Sequence, residues 1–246
     1  MEPLTIIILF FVSLIASMYG TVVGGTGLLL NPVLVSLGLP PHIAIATIRT
    51  SNVGAMVVGT YKFQKKKLIV WKIAIIMSLV SIVGFIIGTF LYFNIPESFF
   101  KIIIACISSV GLMVLLFKKD FGIKKRKITK KHVIIGYILI FFVAIYAAMY
   151  GPMFATFLSY ILVFFFGLSF LKAAGTRKLF TIVRFILTVP IFIFVGKVAW
   201  LYVLVMLFAR MIGAWIGAHY ADIIGNNMIR YAFIVITGIA IVTMFL

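Results

Sequence analysis

From Pro3 to Ile48 the chain carries no Asp, Glu, Lys or Arg. One membrane crossing takes about 20 apolar residues, so this run is too long for a single span. Composition agrees, with 65% of residues hydrophobic and 11% charged. Soluble proteins hold about half and about a quarter. Lipid can cover that much apolar surface and water cannot, so the chain reads as a multi-pass integral protein of the cell membrane.

The charges are lopsided: 22 Lys and Arg stand against four acids, Glu2, Glu97, Asp120 and Asp222. In a soluble protein that excess would suggest nucleic acid. Here the cations gather in short loops, chiefly Lys62–Lys67 and 118–131, as cytoplasmic loops of membrane proteins do. No nucleic-acid partner is expected. The lone Cys106 excludes an internal disulfide or a thiolate metal cluster. No nucleophile–base spacing appears, so neither an enzyme nor a cofactor is expected. With no basic region ahead of it, the run from Leu4 reads as a first membrane segment, not a cleaved signal.

Glycine and proline punctuate the apolar sequence. Helices are expected at about 4–20, 26–37, 42–61, 70–93 and 99–117, then at 132–149, 152–166, 171–195, 198–221 and 228–246. The fold class is therefore all-α, a polytopic membrane protein of 8–10 helical segments. A first repeat (1–117) and a second (132–246) flank a basic cytoplasmic connector (118–131). Shifting the chain by 129 positions supports the duplication: Gly38 falls on Gly167, Thr47 on Thr176, Trp71 on Trp200, Gly84 on Gly213, Gly88 on Gly217, and Arg49 on Lys178. Whether each half crosses four or five times depends on the short segments 26–37 and 152–166. Counting positive loops favours five, giving inverted repeats and an external N-terminus.

Each half opens with a broken helix, at Gly24-Gly25-Thr26-Gly27 and at Gly151-Pro152. Non-helical backbone at membrane depth survives only in protein or beside a cavity. The helix N-termini that follow present free N–H groups suited to an anion. Close helix packing at glycine is the plainer alternative. Gly20–Gly27 is not a phosphate loop, for no Lys follows and no strand precedes it.

Arg49, Arg177, Lys178, Arg184 and Arg210 lie inside apolar segments, Arg49 about 12 Å into its helix. Cations at such depth face a cavity or a partner, or snorkel to headgroups. No acid is near them in sequence, which leaves backbone carbonyls, lipid phosphates or an anionic substrate. Thr50, Ser51, Asn52 and Thr176 offer donors beside Arg49 and Arg177-Lys178. The site expected from these features comprises Gly24, Gly25, Thr26, Gly27, Arg49, Thr50, Ser51, Asn52, Gly151, Pro152, Thr176, Arg177 and Lys178. Helix depth does not settle Arg184 and Arg210, which are left outside it. With no acid in mid-helix, cation transport and a carboxylate proton relay are not expected.

In order along the chain, Gly20-x-x-x-Gly24-Gly25-x-Gly27, Pro32, Gly38-Leu39-Pro40, Ala46-Thr47-Ile48-Arg49-Thr50-Ser51 and Lys65-Lys66-Lys67 through Trp71 resemble the sulfite exporter TauE/SafE (TSUP) family. Gly167 through Thr176 and Trp200 form a weaker second copy. The resemblance covers essentially the whole chain. It implies transport of sulfite, organosulfonates or related sulfur oxyanions, with Thr50 and Ser51 at the site. Arg49 stands where the pattern has a small residue and rests on the charge argument alone. The expected partners are a small inorganic or organosulfur anion and membrane lipids. A channel-like anion conductor and a lipid-handling membrane protein are the alternatives.

Overall fold

The computed structural model describes residues 3–92, 128–149, 151, 154–194 and 198–245. Among the described residues the fold is all-helical: α1 (Pro3–Gly20), α2 (Thr26–Ser36), α3 (Pro41–Lys65), α4 (Trp71–Tyr92), α5 (Lys130–Met149), α6 (Phe154–Phe166), α7 (Phe170–Phe194) and α8 (Trp200–Phe245). Gly225 interrupts α8 with φ 73 and ψ 167, so the expected pair of helices is present on either side of a break. Five helices are long and apolar enough to cross a membrane, and the bent pair α6–α7 makes a sixth candidate. The chain is a multi-pass membrane protein.

The expected 99–117 helix lies outside the described residues. Two ends shift. α3 runs past residue 61 to take in Lys62 and Lys65 in its last turn, where cations complement the partial negative charge of a helix C-terminus. α5 starts at Lys130, drawing two connector lysines into its first turn.

Contacts at the glycines fix the helix directions. A Cβ placed on Gly213 would strike Leu14 and Ser17, and one on Gly217 would strike Met18, so α8 ascends alongside α1. Likewise Gly84 abuts Phe141 and Ala144 while Gly88 abuts Ile145 and Ala148, so α4 ascends with α5. α3 follows α8, with Thr47 bonded to the Ala199 N–H, Gly54 against Leu207 and Lys62 over the Trp215 ring. Against α7 it runs the other way: Arg49 covers Phe192, and Lys178 reaches Gly59 and Phe63.

Val70, just before α4, meets Thr176 and Phe85 on α4 meets Phe180, so α4 runs with α7. α1, α3 and α8 therefore point one way and α4, α5 and α7 the other. Between α1 and α3 the chain must travel back, and α2 makes that return, its Leu30 and Leu34 buried in one cluster with Ala44 and Ile48. Two bodies result. α1, α2 and α3 pack with α8; α5, α6 and α7 pack with α4; α3 and α7 meet between them. Each body thus borrows one helix from the other half of the sequence.

Candidate functional site

Both helix breaks are built from glycines in left-handed backbone, which side-chain-bearing residues rarely adopt. Gly24 (φ 98) and Gly25 (φ 76) separate α1 from α2, and Gly151 (φ 87) sits between α5 and α6. Gly24 has a second reason to lack a side chain, since a Cβ there would lie 2.8 Å from Ala155 Cβ and 3.2 Å from Arg177 Nη1.

The carbonyls freed at the end of α1 are gathered by one residue of the other half. Arg177 on α7 donates from Nη2 to the Gly20, Thr21 and Val22 carbonyls at 3.4, 3.4 and 2.8 Å. From Nη1 it donates to the Val23 and Ala155 carbonyls and to Ser159 Oγ at 3.1, 2.5 and 2.9 Å. Arg49 on α3 does the reverse, donating to Ala148 O at 3.0 Å and Met149 O at 3.3 Å at the end of α5. The last carbonyls of a helix lack intrahelical partners, and guanidinium is well matched to them. Arg210, 1% exposed, similarly joins α8 to α3 through the Ile48 carbonyl (2.8 Å), Ser51 Oγ (3.1 Å) and Asn52 Oδ1 (2.5 Å).

Between the two bodies is a cavity of about 120 Å³. Of the expected residues, Gly24, Gly25, Thr26, Gly27, Arg49, Asn52, Gly151, Arg177 and Lys178 line it. Thr50, Ser51 and Thr176 are not among the lining residues. Thr50 donates to the Ala46 carbonyl and Ser51 to Ile48, while Thr176 accepts the Val70 N–H. Pro152 lies outside the described residues.

Arg184 and Arg210, left out on sequence grounds, also line the cavity, with Asn31, Thr181 and Thr188. A signal for Arg184 was available: it stands seven residues after Arg177, two helical turns along the same face. Nothing in the sequence pattern marks Asn31.

Five cations therefore surround a small space, and no acidic side chain among the described residues lines it. Arg49, Arg177 and Arg210 are held by backbone carbonyls or side-chain oxygens. Arg184 and Lys178 are different. Arg184, 9% exposed, covers the Phe154 ring at 4.4 Å, and its guanidinium has no hydrogen-bond partner among the described residues. Lys178, 7% exposed, stands over Phe63 at 5.4 Å, with Nζ 2.9 Å from where a Gly59 Cβ would be and with no hydrogen-bonded acceptor among the described residues. A Cβ on Gly151 would touch Nη2 of both Arg184 (2.6 Å) and Arg49 (3.2 Å), so these two guanidinium groups converge on one point. Like charges so placed repel strongly in a poorly hydrated interior. The N-termini of α2 and α6 reach the same space and add partial positive charge to it.

The sulfite exporter TauE/SafE family profile matches residues 9–244. A probable membrane transporter protein of Haemophilus influenzae is 28% identical over 228 residues, covering 91% of this chain and 88% of the relative. The probable membrane transporter protein YfcA of Escherichia coli strain K12 is 28% identical over 242 residues, 97% of this chain and 88% of the relative. A third, the probable membrane transporter protein ORF9 of Sinorhizobium sp., is 23% identical over 229 residues. No solved structure matches the chain. With the family profile spanning nearly its full length, this multi-pass membrane protein belongs to the sulfite exporter TauE/SafE family of membrane transporters.

Proposed function

We propose that the protein is a secondary transporter of a small oxyanion, sulfite or another sulfur oxyanion or organosulfonate, working by alternating access. One observation carries this reading: Lys178 and Arg184 face the cavity between the two bodies, and no acidic side chain among the described residues lines it. A cation at membrane depth costs at least ~2.5–3.5 kcal/mol by insertion scales, and an anionic substrate supplies the missing partner. The cavity of about 120 Å³ suits an ion of a few heavy atoms. The family's description as sulfite exporters supports the sulfur oxyanion.

The opposed directions of α1 and α5, of α3 and α7, and of α4 and α8 support inverted repeats, the architecture in which one repeat rocks against the other around a central site. Here the moving bodies would be α1–α3 with α8 and α5–α7 with α4, pivoting on the α3–α7 contact. Gly24, Arg49 and Arg210 belong to one body, Gly151, Lys178 and Arg184 to the other. An anion bridging them would draw the bodies together.

Uptake of labelled sulfite into proteoliposomes tests the reading. A carrier shows faster uptake when unlabelled sulfite waits inside, and a channel does not. Flux without that trans-stimulation would replace the carrier by the channel, and no flux of any sulfur oxyanion would remove the substrate.

A further inference from the structure

Among the described residues that line the cavity, the side chains carrying a formal charge are four arginines and one lysine. Arginine holds its proton far more tightly than lysine, because the charge of its guanidinium is delocalised. No His, Cys, Tyr, Asp or Glu appears among the lining residues. Lys178 is thus the one lining group that can exist in two protonation states. Its repeat-related counterpart, 129 positions earlier, is Arg49. One half contributes a fixed charge and the other an exchangeable one.

The surroundings of Lys178 isolate it. Arg177 on its own helix and Arg210 on α8 act on it electrostatically. Arg49 and Arg184 share the cavity. α3 presents Gly59 and Phe63, and the end of α1 presents Thr21, none of which titrates. The ammonium has no carboxylate and no acceptor of its own among the described residues. Its stabilisation therefore depends on whatever negative charge enters the cavity, and by linkage the anion's affinity depends equally on the proton.

Resting on the anion-transport reading above, we propose that Lys178 is the proton-coupling group and that the protein moves one proton with each anion. From one side, the Nζ lone pair takes a proton from water as the anion enters, forming the ammonium–anion pair. After the bodies rock, the anion leaves, an N–H bond breaks, and the proton passes to water on the far side while the electron pair stays on Nζ. For a monoanion the cycle is electroneutral. No redox partner or second ion is needed.

The test uses full-length protein in liposomes containing the pH dye pyranine, clamped at zero membrane potential, with protein-free vesicles as the blank for passive sulfite leakage. With the outside one pH unit more acidic, the wild type accumulates labelled sulfite up to about tenfold, the limit for one proton per anion. Lys178→Arg keeps the charge but cannot release it. Taken relative to whatever sulfite–sulfite counterflow the variant retains, its pH-driven accumulation should fall to that of the protein-free blank. Accumulation by Lys178→Arg equal to wild type would overturn the proposal, since the proton would then ride on the substrate. Should Lys178→Arg not fold, the wild type alone decides: net sulfite entry without a pyranine response overturns the coupling. Counterflow without any response to the pH gradient removes Lys178 as the coupling group and leaves the transporter reading intact. Loss of both counterflow and uptake in wild type removes both.

Discussion

Thr47 and Thr176 stand 129 positions apart and make the same bond in opposite halves. Thr47 Oγ1 on α3 accepts the Ala199 N–H just before α8, and Thr176 Oγ1 on α7 accepts the Val70 N–H just before α4, each at 3.1 Å. Val70 and Ala199 are also 129 positions apart. Each hydroxyl serves a helix start that would otherwise hold an unpaired donor. Since each bond lies within one body and joins a helix of one sequence half to a helix start of the other, in a reciprocal way, the pair supports a common ancestor for the two halves.

Thr47→Val and Thr176→Val keep the shape and delete the acceptor, leaving a part-buried N–H unsatisfied at a cost of at most about 1–3 kcal/mol. Both variants should lower the thermal midpoint of detergent-solubilised protein, and by similar amounts. A large loss in one and none in the other would show that the bonds are not equivalent.

Arg177 and Arg184 should respond oppositely to the same change. Arg177 satisfies six acceptors, so Arg177→Gln should be poorly expressed or clearly less stable. Arg184→Gln removes a cation that repels Arg49 and holds no acceptor, so stability should be unchanged or higher. Its loss should appear in binding: a charged hydrogen bond is worth about 1.5–3 kcal/mol, so sulfite affinity falls roughly 10- to 100-fold, read by the thermal shift that sulfite produces. Undiminished sulfite stabilisation of Arg184→Gln would remove it from the site.

Gly151→Ala asks for a Cβ at φ 87 and places it 2.6 Å from Arg184 Nη2. The backbone strain alone is about 1–2 kcal/mol. Transport should fall at least tenfold as the paired guanidinium groups shift, whereas the protein still folds. Wild-type counterflow by this variant would show that the convergence of Arg49 and Arg184 is not needed.

Gly217 and Gly88 are packing positions. A Cβ would lie 2.0 Å from Met18 O at Gly217 and 2.2 Å from Ile145 O at Gly88, both rigid backbone atoms. Alanine at either should force the helices apart and lower the yield of folded protein. Gly27→Ala, whose Cβ meets only Asn31 Nδ2 at 3.5 Å, should be tolerated and gain about 0.5–1 kcal/mol of helix propensity.

Much of the fold was legible because membrane helices are written in apolar runs and their ends in Gly and Pro. Trp71 and Trp200, aligned by the repeat, are the first residues of α4 and α8. The site was legible only in part, and helix geometry says why. Adjacent residues on a helix point about 100° apart. Arg49 and Asn52, three positions apart, share the cavity face, while Thr50 and Ser51 between them turn to the carbonyls of their own helix. Neighbourhood in sequence suggested a cradle that the helical turn disperses. The partners of Arg177 were out of reach for another reason: four of its acceptors lie more than 150 positions away.

The exchange of helices between bodies has a temporal side. Ser17 donates to the Arg210 carbonyl across 193 residues of chain, and Leu14 and Met18 press against Gly213 and Gly217. At about 5–20 residues per second, the ribosome needs on the order of 10–40 s to deliver those partners. Throughout that interval the first helix waits in the bilayer with its seam of small residues unmated. The amino-terminal segment, though made first, is among the last to find its place, and a truncation near the carboxyl end would strand it.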